Sequence, residues 1–348
     1  MPSTPSTGSD LSVRRATRTD EPAILDLVRL SLGERGIHRT PDYWRWKHEA
    51  NPFGQSPTLI AEDGPRLVGL RTFMRWTWKC GGAAVPAVRA VDTATHPDYR
   101  GRGIFKRLTL QLRDEVQAEG IPFVYNTPNS QSRPGYLKMG WTLVGRPTIW
   151  MRPVHPVRLL GALRRDASGH NEERPPIDAP AAGDVLREPG VEGLVAAAVD
   201  AAEPLGRYHT RRTIEYLRWR YADIPGFTYR AVTEGQGADG ALVLVRSRYR
   251  GDVRELRVCD LVVGPTAAAR RNAGRLLRRM PRLAAVDMVI AMPAGRADLR
   301  RVLVGAGYVP VPRSGPIFTT YPFAAADELP NPRHLKNWAP SIGDLELF

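Results

Sequence analysis

The chain is poor in several features that would narrow its role at once. It has two cysteines, Cys80 and Cys259, in 348 residues. Both lie in apolar, strand-like stretches, so we expect no disulfide framework and a reducing, cytoplasmic setting. No Cys/His grouping has metal-ligand spacing, and we expect no metal. No apolar run approaches the roughly 18 residues that cross a bilayer, so no membrane partner is expected. Residues 1–10 are rich in Ser, Thr, Pro and Gly and lack the basic-then-apolar order of a signal peptide. They read as a short disordered tail. Lysine is scarce too: Lys47, Lys79, Lys106, Lys138 and Lys336 are the only lysines among 50 basic residues.

What is present is ordinary in bulk and informative in detail. A chain that is 42% hydrophobic and 25% charged is typical of a globular protein, and its length suits two domains. The net charge of +14 admits two readings: a polyanionic ligand, or simply solvated arginine faces. Nucleic acid is not the expected partner, because no helix-turn-helix, zinc or stacking motif is recognisable. Oligomeric state is not legible.

Along the first half, strand-like and helix-like segments interleave. Strands are predicted over 11–17, 58–61, 67–78, 85–95, 122–126 and 141–151. Helices are predicted over 20–32, 42–50, 104–118 and 134–139. Residues 153–190 change character: Pro, Ala, Gly, Asp and Arg dominate, and we read a linker. The second half repeats the first. Helices are predicted over 191–202, 212–223 and 266–280, followed by a strand over 288–292, a short helix ending at Ala306 and a last strand from Tyr308. Residues 326–348 hold enough apolar side chains to dock back as a C-terminal tail.

The repeat extends to residues. Thr40-Pro41-Asp42-Tyr43-Trp44-Arg45-Trp46-Lys47 aligns with Thr213-Ile214-Glu215-Tyr216-Leu217-Arg218-Trp219-Arg220. Arg89-Ala90-Val91-Asp92 aligns with Arg257-Val258-Cys259-Asp260, and Gly140-Trp141 with Gly307-Tyr308. Three matches in the same order imply two copies of one α/β unit.

The chemistry-bearing feature is Arg100-Gly101-Arg102-Gly103-Ile104-Phe105, between a predicted strand and a predicted helix. Glycines there let several backbone N–H groups approach one anion. The helix N-terminus adds its positive end, and a diphosphate suits that combination. Taken alone, the pattern is also that of a plain tight turn.

Thr95-His96-Pro97-Asp98-Tyr99-Arg100-Gly101-Arg102-Gly103-Ile104 resembles the acetyl-CoA motif of the GNAT superfamily of N-acetyltransferases. Asn129 and Tyr136-Leu137-Lys138-Met139-Gly140-Trp141 resemble that family's later Asn and Tyr-x-Lys-x-Gly-aromatic pattern. Phe105 departs from the small residue usual at its place. The resemblance implies an α/β (α+β) fold of two tandem GNAT-like domains, each a mixed, mostly antiparallel sheet flanked by helices. The domains would span 11–152 and 191–325. It implies acetyl-CoA as acyl donor, a small primary amine as acceptor, and direct attack.

By the same resemblance, Thr93, Ala94 and Thr95 would hold the pantetheine arm together with Asn129. Arg100, Gly101, Arg102, Gly103, Ile104 and Phe105 would hold the diphosphate. Tyr136 would act as the acid for the departing thiolate. Asp92 is the candidate base, although Asp260 keeps the same residue in the second copy. His96 is expected at the surface. Trp44, Trp46, Trp76 and Trp78 are either core or acceptor-pocket residues. By constant spacing, the second copy has Ala268-Ala269-Arg270-Arg271 opposite the turn and Leu303 opposite Tyr136, so it is expected to bind no cofactor. A silent CoA-sensing or partner-binding module is the alternative reading.

Overall fold

The structure is a computed structural model that describes residues 11–32, 40–164, 175–202, 206–323 and 329–346. The expected tail 1–10, the middle of the expected linker (165–174) and 326–328 and 347–348 of the expected docking tail lie outside them. The strands are β1 Ser12–Arg15, β2 Thr58–Asp63, β3 Arg66–Cys80, β4 Ala83–Thr95, β5 Phe123–Asn126, β6 Thr142–Gly145, β7 Ile149–Pro153, β8 His209–Thr210, β9 Arg230–Glu234, β10 Ala241–Arg250, β11 Val253–Val263, β12 Met288–Ala291, β13 Val309–Val311 and β14 Phe318–Pro322. The helices are α1 Glu21–Leu32, α2 Pro41–His48, α3 Ile104–Ala118, α4 Arg133–Lys138, α5 Pro156–Arg164, α6 Ala182–Val185, α7 Pro189–Ala202, α8 Ile214–Leu217, α9 Ala267–Arg279, α10 Ala297–Gly305 and α11 Ile342–Leu345.

Two sheets result. One runs β1-β2-β3-β4-β5-β14-β6, with β8 paired to the end of β3; the other runs β13-β7-β12-β11-β10-β9. The pairings β1–β2, β2–β3, β9–β10 and β10–β11 are antiparallel, whereas β4–β5 and β11–β12 are parallel. The chain divides into two units. The first takes the described residues up to Trp76, then Pro86–Thr142, and the segment from Thr320. The second takes Thr77–Val85, Leu143–Thr319 and the described residues from 329 on.

In the first unit, Leu59, Phe73, Val88, Leu108, Leu112, Val116 and Val124 share one core. Their spacing on α3 (108, 112, 116) is the helical repeat that the sequence carries. On the other side of the sheet, Ile24, Leu27 and Val28 of α1 pack on Ile60 and Leu70. In the second unit, Val243, Val245, Leu256 and Val258 of the central hairpin pack against Ala273, Leu276 and Leu277 of α9.

The predicted strand 141–151 is two strands. Gly145 has φ 134° and Pro147 has no N–H to give a ladder, so β6 ends and β7 starts afresh. β7 then pairs with β12 and β13 in the second sheet, while β14, from the end of the second copy, lies between β5 and β6. The segment expected to link the copies is also partly built. Pro156–Arg164 forms α5, and Arg158 pairs with the buried Asp287 at 2.7 Å.

The repeat is visible in backbone detail. Thr40 and Thr213 each cap a helix, accepting from the N–H of Tyr43 and Tyr216. Each helix then ends in a wide turn, with Ala50 N–H bonded to Arg45 O at 2.8 Å and Asp223 N–H to Arg218 O at 2.9 Å. Both bonds span five residues, a single π turn.

Candidate active site

Strands β4 and β5 pair at Val88↔Val124 and Arg89↔Tyr125. Past that register β4 runs on to Thr95 and β5 ends at Asn126. The two strands therefore part, and the edge of β4 over Thr93–Thr95 has no β5 residue opposite. The N–H of His96 bonds Val68 O of β3 at 2.9 Å. Backbone direction alternates along a strand, so the N–H groups of Thr93 and Thr95 face away from β3, toward the parting. Thr95 O faces the same way and accepts from Ser31 Oγ at 2.9 Å. Ala94 is buried in the core beneath α1.

The chain then turns into α3. His96 accepts the Asp98 N–H through Nδ1 at 3.2 Å and lies edge-on to the Tyr99 ring. It is buried rather than on the surface as expected, because it caps the short Pro97–Tyr99 turn. Tyr99 anchors that turn by donating to Asp63 at 2.6 Å. Gly101 has φ 78°, and Gly103, the residue that caps α3, has φ 76°. Side chains rarely tolerate that region. A Cβ on either glycine would meet nothing within 4 Å, so this face of the turn is open. Arg100 donates to Ser31 O at 3.0 Å and Arg102 lies over the Tyr99 ring at 4.6 Å. Neither has a carboxylate partner among the described residues.

Asn129 opens the next loop. Its Oδ1 accepts from the N–H of Gln131 and Ser132 and from Ser132 Oγ, so the oxygen shapes the start of α4 and the amide N–H₂ is left for other partners. Tyr136 on α4 is 3% exposed. Its hydroxyl accepts from Arg71 Nη2 at 2.6 Å. Phe105 meets the Tyr136 ring edge-on at 5.6 Å. The departure at Phe105 thus has a structural account: the ring packs inward on Gly135 and Tyr136, where a Gly135 Cβ would come within 3.0 Å of it.

Arg71 escaped the sequence reading. It is fully buried, donates to Val91 O at 3.3 Å and lies over the rings of Phe73, Tyr136 and Phe105 at 4.9, 5.4 and 5.7 Å. Aromatic faces hold its charge, and among the described residues no carboxylate pairs with it. The available signal was an arginine inside the apolar strand Leu70-Arg71-Thr72-Phe73.

Asp92 is held from two sides. Lys47 Nζ lies at 2.7 Å and His48 Nε2 at 2.9 Å from its Oδ2. The other ring nitrogen, His48 Nδ1, lies at 3.0 Å from Ser56 Oγ. Lys47 and His48 are buried, whereas the Asp92 side chain is 23% exposed. Burial alone would raise the Asp92 pKa, but Lys47 and then His48 outweigh it, and the carboxyl is held below its usual range. Burial likewise depresses His48, only partly offset by Asp92, which favours the neutral imidazole. Asp92 has φ 20°, an unusual value for a residue with a side chain. The Trp44 ring lies tilted against His48, with centroids 4.1 Å apart. Trp46, Trp76 and Trp78 are core residues at 7, 2 and 0% exposure, so of the four tryptophans Trp44 alone stays half-buried.

The second unit carries the same frame with different contents. Tyr221, opposite His48 in the repeat, donates to Asp260, and Arg212 pairs with Asp260 at 2.5 Å. Strand β11 runs past its β12 partners to Val263. There Arg296 donates to Val263 O at 3.0 Å, at the place equivalent to Thr95. The turn is also not where constant spacing put it. Ala268-Ala269-Arg270-Arg271 lie inside α9, and only 264–266 join β11 to α9, against 96–103 in the first unit. Leu303 occupies the buried place of Tyr136, with Tyr308 N–H bonded to its carbonyl as Trp141 N–H is to that of Tyr136.

Residues 12–144 match the family model described as an acetyltransferase (GNAT) domain. No curated protein matches the chain in sequence. Among solved structures, a probable N-acyltransferase from Enterococcus faecalis is similar, with TM-score 0.61 at 13% identity, covering 90% of this chain and 72% of that one. A GCN5-related N-acetyltransferase from Anabaena variabilis gives 0.60 at 15%, covering 89% and 72%. One from Kribbella flavida gives 0.55 at 18%, covering 89% and 70%. At these identities the likeness is one of fold. Among the described residues, no helix is long and apolar enough to cross a membrane.

Proposed function

We propose, from the match of residues 12–144 to the GNAT acetyltransferase domain model, that the chain transfers acetyl from acetyl-CoA to a primary amine of a small molecule. The observation that carries the reading is the parting of β4 from β5 directly before a turn with two open, left-handed glycines. The N–H groups of the turn 100–105 and the start of α3 would bind the diphosphate, with Arg100 and Arg102 at its rim. Thr93 and Thr95 would bond the pantetheine arm through backbone, and the Asn129 amide would donate to it. This fixes the thioester beside the incoming amine, and proximity supplies much of the rate.

The amine nitrogen attacks the thioester carbonyl, and the carbon–sulfur bond breaks. The departing thiolate takes the Tyr136 proton, and the Arg71 guanidinium stabilises the charge left on the phenol oxygen. The ammonium proton must go elsewhere. A carboxylate held below its usual range is a weak base, so we assign Asp92 to anchoring β4 through Lys47 and His48, and the proton to water. The second unit, with only 264–266 between β11 and α9, binds no CoA in this reading.

The test is isotopically labelled acetyl-CoA incubated with a panel of amines, with a hydrolysis control, on the native chain and on Gly103→Glu. Transfer by the native chain, with at least tenfold weaker CoA binding by the variant, is expected. Tight CoA binding with no acyl transfer to any amine would leave the silent module instead. Unchanged CoA affinity in Gly103→Glu would remove the turn from the site.

A further inference from the structure

The second unit holds an open groove of about 390 Å³ at the end of β12. Its volume falls within the roughly 300–1,000 Å³ of small-molecule sites. Arg207, Arg300 and Lys336 line it, and no lining residue is acidic. Among the described residues none of these three cations has a carboxylate partner. Elsewhere in the unit Arg158, Arg212, Arg254, Arg257 and Arg296 are paired. Three like charges around one concavity repel one another unless an anion joins them.

The wall of the groove is strained. Ala294 has φ 43° and Gly295 φ 75°, and the turn is closed by Arg296 N–H on Pro293 O at 3.0 Å. An alanine in the left-handed region costs about 1–2 kcal/mol and persists only where its surroundings enforce it. Here they do, because Gly295 is pressed against Ala339, where a Cβ would come within 2.4 Å. Ala339 is in turn tied to Tyr208 by a 2.8 Å backbone bond. Trp150 and Trp338 supply an apolar floor.

We propose that this groove is a second ligand site, which takes the phosphate end of a small phosphorylated molecule at Arg207, Arg300 and Lys336 and lays its apolar body along Trp150. It is separate in residues and in chemistry from the turn at 100–105. The charge requires an anion, and the apolar floor distinguishes a phosphorylated organic molecule from inorganic phosphate.

The experiment uses the full chain carrying Gly103→Glu, so that the turn does not compete for the probe. Phenyl phosphate and inorganic phosphate are titrated at 150 mM salt, with calorimetry and tryptophan fluorescence as readouts. Saturable one-to-one binding of phenyl phosphate, at least fivefold tighter than phosphate, is expected. Adding Arg207→Glu and Arg300→Glu should weaken it at least tenfold with an unchanged melting temperature, since neither side chain holds another part of the fold. Equal affinity for the two probes would overturn the apolar half of the proposal. No binding, or binding indifferent to the two charge reversals, would overturn all of it.

Discussion

Arg71 donates to the Tyr136 hydroxyl at 2.6 Å from a fully buried position. The bond orients the phenol so that its own proton points elsewhere, as an acid requires. We predict that Tyr136→Phe lowers kcat about 10²-fold with KM for acetyl-CoA little changed. It should also lower stability by about 1–3 kcal/mol, because a buried guanidinium N–H loses its acceptor. Thiol release and a thermal melt measure the two effects. A kcat within twofold of the native value would exclude Tyr136 as the acid.

A second prediction concerns acid. Both Asp92 and His48 have folded pKa values depressed below their ordinary ones. A depressed group stabilises the fold above its unfolded pKa, and that stability is lost as pH falls through the folded value. For His48 the loss begins below about pH 6.5, and for Asp92 below about pH 4. The melting temperature should therefore fall between pH 7 and 5, and His48→Gln should flatten that fall. An equally steep fall in the variant would place its origin elsewhere.

Much of this was legible, and the boundary is physical. Asn129 and Tyr136 enter only through the resemblance to the GNAT motif, whereas the turn glycines are read from their place between a strand and a helix, because local backbone geometry demands that residue type. The helical repeat on α3 and the two-copy pattern are read from spacing. The split at Gly145 and Pro147 was written in the sequence, but the strand that β7 would join was not. Pairing across 135 to 162 residues leaves no local trace. Arg71, Lys47 and His48 were missed for a related reason. Their partners, Tyr136 and Asp92, lie 44 to 65 residues away, and a charged residue in a strand or helix looks solvated until its neighbours are known. His96 was expected outside because its capping bond to Asp98 is a property of the turn, not of the residue.

Asp92 and Asp260 hold equivalent places in the repeat but differ in exposure. Asp260 is buried between Arg212 and Tyr221, whereas the Asp92 side chain reaches solvent. Asp260→Asn should cost about 3–5 kcal/mol, since Arg212 loses half of its carboxylate pairing in a dry environment. Chemical denaturation reads that loss, and kcat per folded molecule should stay within twofold. Asp92→Asn should show the reverse balance, a smaller loss of stability and a fall in acyl transfer as β4 loosens from α2. Equal stability losses at the two positions would mean that both carboxylates serve only the frame.

The last prediction tests why a phenylalanine is tolerated next to the cofactor turn. Phe105 packs edge-on against Tyr136, and Gly135 is bare beneath it. Gly135 lies in α4 with no positive φ to protect, so alanine there should favour the helix by about 1 kcal/mol. Against that, its Cβ would meet the Phe105 ring at 3.0 Å, and the ring can move only by disturbing Tyr136. We therefore expect Gly135→Ala to lower kcat several-fold while changing stability little. Phe105→Ala alone should destabilise the protein, because a half-buried ring and its contact with Tyr136 are lost. In the double variant the alanine Cβ has room, so the helix gain returns and the two changes should couple by about 0.5–3 kcal/mol. Additive effects in that cycle would show that Phe105 and Gly135 do not set the position of Tyr136 together.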